Sequence, residues 1–205
     1  MRQLFANVAL AGLFMVTSFG AYAVDDVDCN DAQAQVKKTT DQVLRADSSQ
    51  VNAFIDELVS SFDFYLMSRL VVPSKCWSES RSKRKQFKSI FRTLLVRIYT
   101  DKLASSLGTI DRIGYSSCTD HSLGKKKPKP GAIVKTIVYL TGSKSVDVDY
   151  AMYYKKPKKT WQKPKWKVYN VYAAGVSLID NYKAEFKSSC DQGGMKTVIK
   201  KVENE

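Results

Sequence analysis

The sequence predicts an α+β fold, a curved four-stranded antiparallel sheet with helices packed on one face. Three observations carry this. Apolar residues recur at helical spacing from about residue 50 to residue 106; the period shortens to two over four segments after Gly108; it lengthens again after Ser177. Helices, then a meander, then a helix is the order expected when helices bury one face of an antiparallel sheet.

Each element has its own signal. Residues 28–45 hold good helix formers with a weak apolar face. Over residues 50–62, Val51, Phe54, Ile55, Leu58, Val59 and Phe62 form a clearer helical stripe. Residues 62–70 read as a second short helix, ended near Pro73, which cannot continue one. A long helix spans about residues 82–106. Phe87, Ile90, Phe91, Leu94, Leu95, Ile98, Tyr99 and Leu103 make its stripe, and Lys83, Arg84, Lys85, Lys88, Arg92 and Arg97 take the other faces. Strands are expected at about residues 110–118, 132–142, 145–156 and 165–174. In the third, Val146, Val148, Tyr150, Met152 and Tyr154 alternate with polar or small residues, and Gly142-Ser143-Lys144 is a tight hairpin signal. A last helix covers about residues 177–190, breaks at Gly193-Gly194 and resumes as a short basic helix. No repeat or linker divides residues 24–205, which read as one domain.

The first 23 residues have the pattern of an export signal: Arg2, an apolar centre over residues 8–16, and Ala21-Tyr22-Ala23 as a small-x-small cleavage site. The apolar run is shorter than the roughly 20 residues a spanning helix needs. No later stretch is apolar enough to span a bilayer. What remains, about 180 residues, is long enough for a sizeable core.

The formal net charge of +13 favours anionic partners: lipid headgroups, acidic protein faces or nucleic acid, the last less apt for an exported chain. The four cysteines, Cys29, Cys76, Cys118 and Cys190, contain no C-x-x-C, which argues against a zinc or thioredoxin-like site. An even, widely spaced set in an exported chain suggests two disulfides, with three pairings open. In a simple meander the first strand ends at Cys118. A helix of about fourteen residues from Ser177 runs back roughly 21 Å and returns Cys190 to that end. The expected pairing is therefore Cys118–Cys190 with Cys29–Cys76.

The ordered set Trp166-Lys167-Val168-Tyr169, Gly175-Val176-Ser177-Leu178, Asn181-Tyr182 and Phe186 resembles the C-terminal signature of the toluene-tolerance family, also called the MlaC family, of periplasmic phospholipid-binding proteins. Asp63-Phe64, Trp77, Phe87, Phe91 and Tyr99 sit where that family's pattern expects them. So does Val148-Asp149-Tyr150-Ala151-Met152, although the family usually has a basic residue where Ala151 stands. The resemblance covers about residues 62–186 and hardly constrains residues 24–50. It implies a cone-like fold, related to nuclear transport factors, whose sheet and helices enclose a deep apolar cavity. It also implies a non-enzymatic periplasmic shuttle with phospholipid as cargo and no cofactor. Its partners would be an inner-membrane ABC transporter complex and an outer-membrane lipoprotein complex. A carrier of another lipid, such as a hopanoid, is a close variant. A secreted basic binding module with a solid core is the alternative from a different class. Typical members lack the four cysteines.

Read from the residues alone, the apolar stripes are ordinary core. The resemblance turns part of them into cavity lining. Candidates on the inward strand faces are Val134, Val138, Leu140, Val148, Tyr150, Met152, Trp166 and Val168, faced by Phe87, Phe91, Leu94, Leu95 and Ile98 from the long helix. A carrier needs such a space because each buried methylene contributes roughly 0.8 kcal/mol. Two acyl chains then need a pocket at or beyond roughly 1,000 Å³, the upper end of ordinary pockets.

Catalytic readings are weaker. Ser177 follows a strand and opens a helix, but the second glycine of a nucleophile elbow is missing, and Asp180 three residues on makes a capping pair. His121 is expected on a surface loop. Asp147 and Asp149 alternate with the apolar face of their strand and are expected to face solvent, so no paired carboxylates face inward. No metal-ligand set is expected. Two basic, Pro-containing runs join strands at one end of the sheet. They present Lys125, Lys126, Lys127 and Lys129 in one loop and Lys155, Lys156, Lys158 and Lys159, with Trp161, in the other. Beyond solubilising the loops, they are candidates for docking anionic membrane or an acidic partner.

Overall fold

The computed structural model describes residues 28–45, 51–125, 128–156 and 165–205. The expected leader, Lys126, Lys127, Lys158, Lys159 and Trp161 lie outside the described residues. Helix α1 spans Cys29–Arg45, α2 Val51–Ser60, α3 Phe64–Val71, α4 Ser74–Trp77 and α5 Arg81–Ser106. Strands β1 (Ile110–Leu123), β2 (Lys129–Leu140), β3 (Lys144–Lys155), β4 (Lys165–Ala173) and β5 (Val176–Ser177) follow, then α6 (Leu178–Glu203). The sheet is antiparallel throughout, in the order β1-β2-β3-β4-β5. It has one strand more than expected: two-residue β5 pairs with Tyr172 and Ala173. Further along the same edge of β4, Ser61 O and the Asp63 N–H bond the backbone of Val168, each at 2.9 Å. An edge that would otherwise invite another strand is thus covered.

Alternation places Val146, Val148, Tyr150, Met152 and Tyr154 of β3 on one face. Register puts Val138, Thr136, Val134 and Ala132 of β2 beside the first four. Helix α1 covers one end of this face. Ala32 and Val36 pack with Val134, Met152, Trp166 and Val168 as one core. The Gln35 amide clamps the Trp166 backbone, donating to its carbonyl at 2.9 Å and accepting from its N–H at 3.2 Å. A second core lies among α3, α4, α5 and α6, where Phe87, Phe91, Tyr182 and Phe186 meet with ring centroids 5.2–5.9 Å apart. Such edge-to-face pairs add to area burial through the ring quadrupole.

The disulfides correct the expected pairing. Cys29 bonds Cys118, and Cys76 bonds Cys190; Cys118–Cys190 and Cys29–Cys76 do not form. The reason is the path of α6. It does not return along the sheet to β1 but packs on α3, α4 and α5, which leaves Cys190 beside Cys76. It is α1 that reaches β1 and brings Cys29 to Cys118. Helix α6 breaks where expected, with non-helical backbone at Gly193 and Gly194. Glu79 seals the break by accepting the Met195 N–H at 2.7 Å, serving as a side-chain cap for the second half of the helix. Strand β1 runs five residues past its expected end, so His121 lies in a strand, not a surface loop. It is half-buried over Gly131, where a Cβ would strike its ring, with Nε2 3.0 Å from the Tyr169 hydroxyl.

Candidate functional site

Helix α1 covers only one end of the inner sheet face, and the helical core packs mainly on itself. Between the two cores lies a cavity of about 790 Å³. The sheet contributes Val146, Val148, Tyr150, Val171 and Ala173; α2 contributes Ile55, Leu58 and Val59; Phe62, Phe64 and Met67 follow from the next segment. Helix α5 adds Leu95, Val96, Ile98, Tyr99, Thr100, Lys102 and Ser106, and the start of α6 adds Leu178, Asn181 and Tyr182. The volume lies in the upper part of the range for ligand pockets, roughly 300–1,000 Å³, and falls short of the roughly 1,000 Å³ expected for two acyl chains.

The cavity has a direction. Ile55, Met67, Leu95 and Tyr182 are buried, whereas Tyr99 and Val176 are 45% and 62% exposed. Lys102, Ala173 and Asn181 are exposed as well. These exposed lining residues gather where α5 ends, β4 ends and α6 begins, which makes that end the mouth. All three lining tyrosines, Tyr99, Tyr150 and Tyr182, are held above the ordinary value and carry neutral hydroxyls, Tyr99 through burial. Burial, with a smaller contribution from Tyr115, pushes Tyr150 up to about 12; burial, then Tyr99 and nearby glutamates, pushes Tyr182 up to about 12. The walls thus offer methyls, rings and a few neutral polar groups, with Lys102 the one cation among the described lining residues.

Of the expected lining residues, Leu95, Ile98, Val148 and Tyr150 border this cavity. Phe87, Phe91 and Leu94 are buried in the helical core instead, because α5 turns that part of its stripe toward α6. Val134, Met152, Trp166 and Val168 lie under α1. Val138 and Leu140 are half-buried and outside the lining. Sequence reasoning missed the α2 and β4 contributions, Phe62, Phe64, Met67 and Tyr182. The α2 stripe was visible, but its period does not say which element it faces.

Ser177 is an N-cap: its Oγ accepts the Asp180 N–H at 3.0 Å and an amide hydrogen of Asn170 at 2.9 Å. A polar centre that spacing did not reveal is Asp63. Only 8% exposed, it caps α3 by accepting the Leu66 N–H at 2.9 Å, and it accepts from the Tyr153 hydroxyl at 2.5 Å and the Lys155 ammonium at 2.9 Å. Burial acts to raise its pKa, but the bonds from Tyr153, Leu66 and Lys155 outweigh it and hold the carboxyl below the usual value. Lys155 is therefore committed to Asp63. Lys129 is exposed with its ammonium 4.8 Å above the Tyr153 ring, and Lys125 and Lys156 are exposed. These lysines lie at the opposite end of the sheet from the mouth. From Val146 to Lys155 the third strand covers roughly 30 Å at about 3.3 Å per residue. No group of three or more metal-ligating side chains occurs among the described residues, and no described helix is long and apolar enough to cross a membrane.

An open antiparallel sheet closed by a helical layer around an apolar cavity defines a container-type α+β protein. The family model for MlaC proteins matches residues 29–204, and the chain belongs to that family. The fold is similar to that of a phospholipid-binding protein from Ralstonia solanacearum, solved in complex with a phospholipid. The two are 22% identical with a TM-score of 0.65, and the match covers 85% of this chain and 96% of the other. No curated protein sequence matches this chain.

Proposed function

We propose that this protein is an exported, periplasmic phospholipid carrier, the mobile component of an ABC-transporter lipid transport system. It would pass lipid between an outer-membrane lipoprotein complex and an inner-membrane complex. The observation that carries the reading is the apolar cavity between the two cores, with its mouth where α5 and β4 end and α6 begins. Acyl chains inside it regain roughly 0.8 kcal/mol per methylene, so the walls can compete with a bilayer for the tails while the headgroup stays at the mouth. Membership of the MlaC family and the phospholipid complex of the Ralstonia solanacearum protein support the choice of cargo. The reading requires no catalysis, and the one serine placed like a nucleophile is occupied as a helix cap. The test is organic extraction of the purified protein followed by mass spectrometry. Near one phospholipid per chain is expected. A hopanoid in its place would keep the carrier and change the cargo; lipid-free protein that takes nothing from liposomes would overturn the reading.

A further inference from the structure

We propose that Lys102 anchors the phosphodiester of the cargo at the cavity mouth, so that the protein selects phosphate-bearing lipids over neutral lipids with the same acyl chains. This rests on the carrier reading and adds a headgroup contact to it. Lys102 is the one charged side chain among the described residues lining the cavity. It is exposed, on the last turns of α5, at the end where Asn181 and Ser106 supply neutral polar groups. Its ammonium lies 5.6 Å from the centre of the Tyr99 ring, one helical turn earlier, which keeps the charge beside the mouth. No carboxylate forms an ion pair with it among the described residues, in contrast to Lys155, which is held by Asp63.

The chemistry follows from the cavity's direction. A lipid whose tails fill the buried end must leave its phosphate at the exposed end, beside Lys102. An ammonium offers three donors to a phosphate oxygen through charge-assisted hydrogen bonds. A neutral diacylglycerol offers only a hydroxyl there and gains none of that attraction. The basic residues of the strand joins lie roughly 30 Å away along the sheet and cannot supply the contact.

The experiment incubates the full chain with liposomes holding equal amounts of phosphatidylglycerol and diacylglycerol of matched acyl chains, re-isolates the protein and quantifies the extracted lipids. The ratio of phospholipid to diacylglycerol should fall about five- to tenfold in Lys102→Ala, a value set by one partly exposed charged hydrogen bond. It should stay near wild type in Lys102→Arg. The melting temperature of delipidated protein should not change, because the side chain is exposed. Excess inorganic phosphate should leave the ratio unaltered, since the free ion has no tails to hold it in place; a collapse of the ratio would show a plain anion site and overturn the assignment. An unchanged ratio in Lys102→Ala would overturn it too, while leaving the carrier reading standing. Wild-type protein that takes up neither lipid would overturn both.

Discussion

Individual side chains divide into those that fill space and those that border it. Ile98 and Val148 are half-buried and border the cavity; Leu94 and Met152 are 3% and 1% exposed in closed core. Tryptophan at Ile98 or Val148 is expected to lower the lipid extracted per chain with little change in the melting temperature of delipidated protein. At Leu94 or Met152 the same change should cost about 1–3 kcal/mol through overpacking. Calorimetry and lipid quantification on the four variants separate the two effects. Asp63 acts on stability. Asp63→Ala removes a cap and leaves Tyr153 without its acceptor, an expected loss of about 2–3 kcal/mol in denaturant unfolding. Because its folded pKa is depressed, its contribution is fully present above the unfolded value of about 3.9 and is lost as pH falls through the lower folded value. The stability difference between wild type and Asp63→Ala should therefore narrow as pH falls below about 4.

At the scale of elements, two features position the cavity walls. The break in α6 depends on Gly194, whose φ of +67° disfavours any side chain and whose added Cβ would meet the Glu79 carboxylate. Gly194→Ala should cost about 1–3 kcal/mol for the backbone alone, because φ +67° with ψ −159° is a region essentially only glycine occupies. More is expected if Glu79 releases the Met195 N–H; differential scanning calorimetry reads the loss. The two disulfides fasten separate layers, Cys29–Cys118 holding α1 on the sheet and Cys76–Cys190 holding α4 on α6. Non-reducing peptide mapping should recover these two linkages. Each closes a long loop, and replacing either pair by serine should lower stability by about 2–4 kcal/mol. Losing the first should also expose the strand face under α1.

The whole molecule is polar along its sheet: the mouth lies where α5 and β4 end, and the basic strand joins at the other end. With a formal charge of +13, association with anionic surfaces should weaken as salt shortens the screening length to about 8 Å at physiological strength. Reversing the exposed Lys125, Lys129 and Lys165 should reduce liposome docking at low salt, measured by co-sedimentation, without releasing bound lipid, because none of them borders the cavity.

The alternation of β3, the stripe of α5, the Ser177 cap and the glycine break in α6 were all legible in the sequence. Each is imposed by backbone geometry over a few residues, so local periodicity reports it. That local record says which residues leave solvent, not what covers them. Phe91 and Ile98 share one stripe, yet the first packs against α6 and the second borders the cavity. Val148 and Met152 share one strand face, yet only the second lies under α1. Residues 24–50 carry little signature, so nothing local placed α1 on β1 and β2, and the cysteine pairing followed from that placement. Lys102 reads as one more exposed lysine until α5, β4 and the start of α6 converge around it. The sequence by itself determined the elements and their buried faces, because these depend on helical and strand repeats. Only the tertiary structure decided where packing stops short and leaves a cavity, because that depends on which distant elements reach one another.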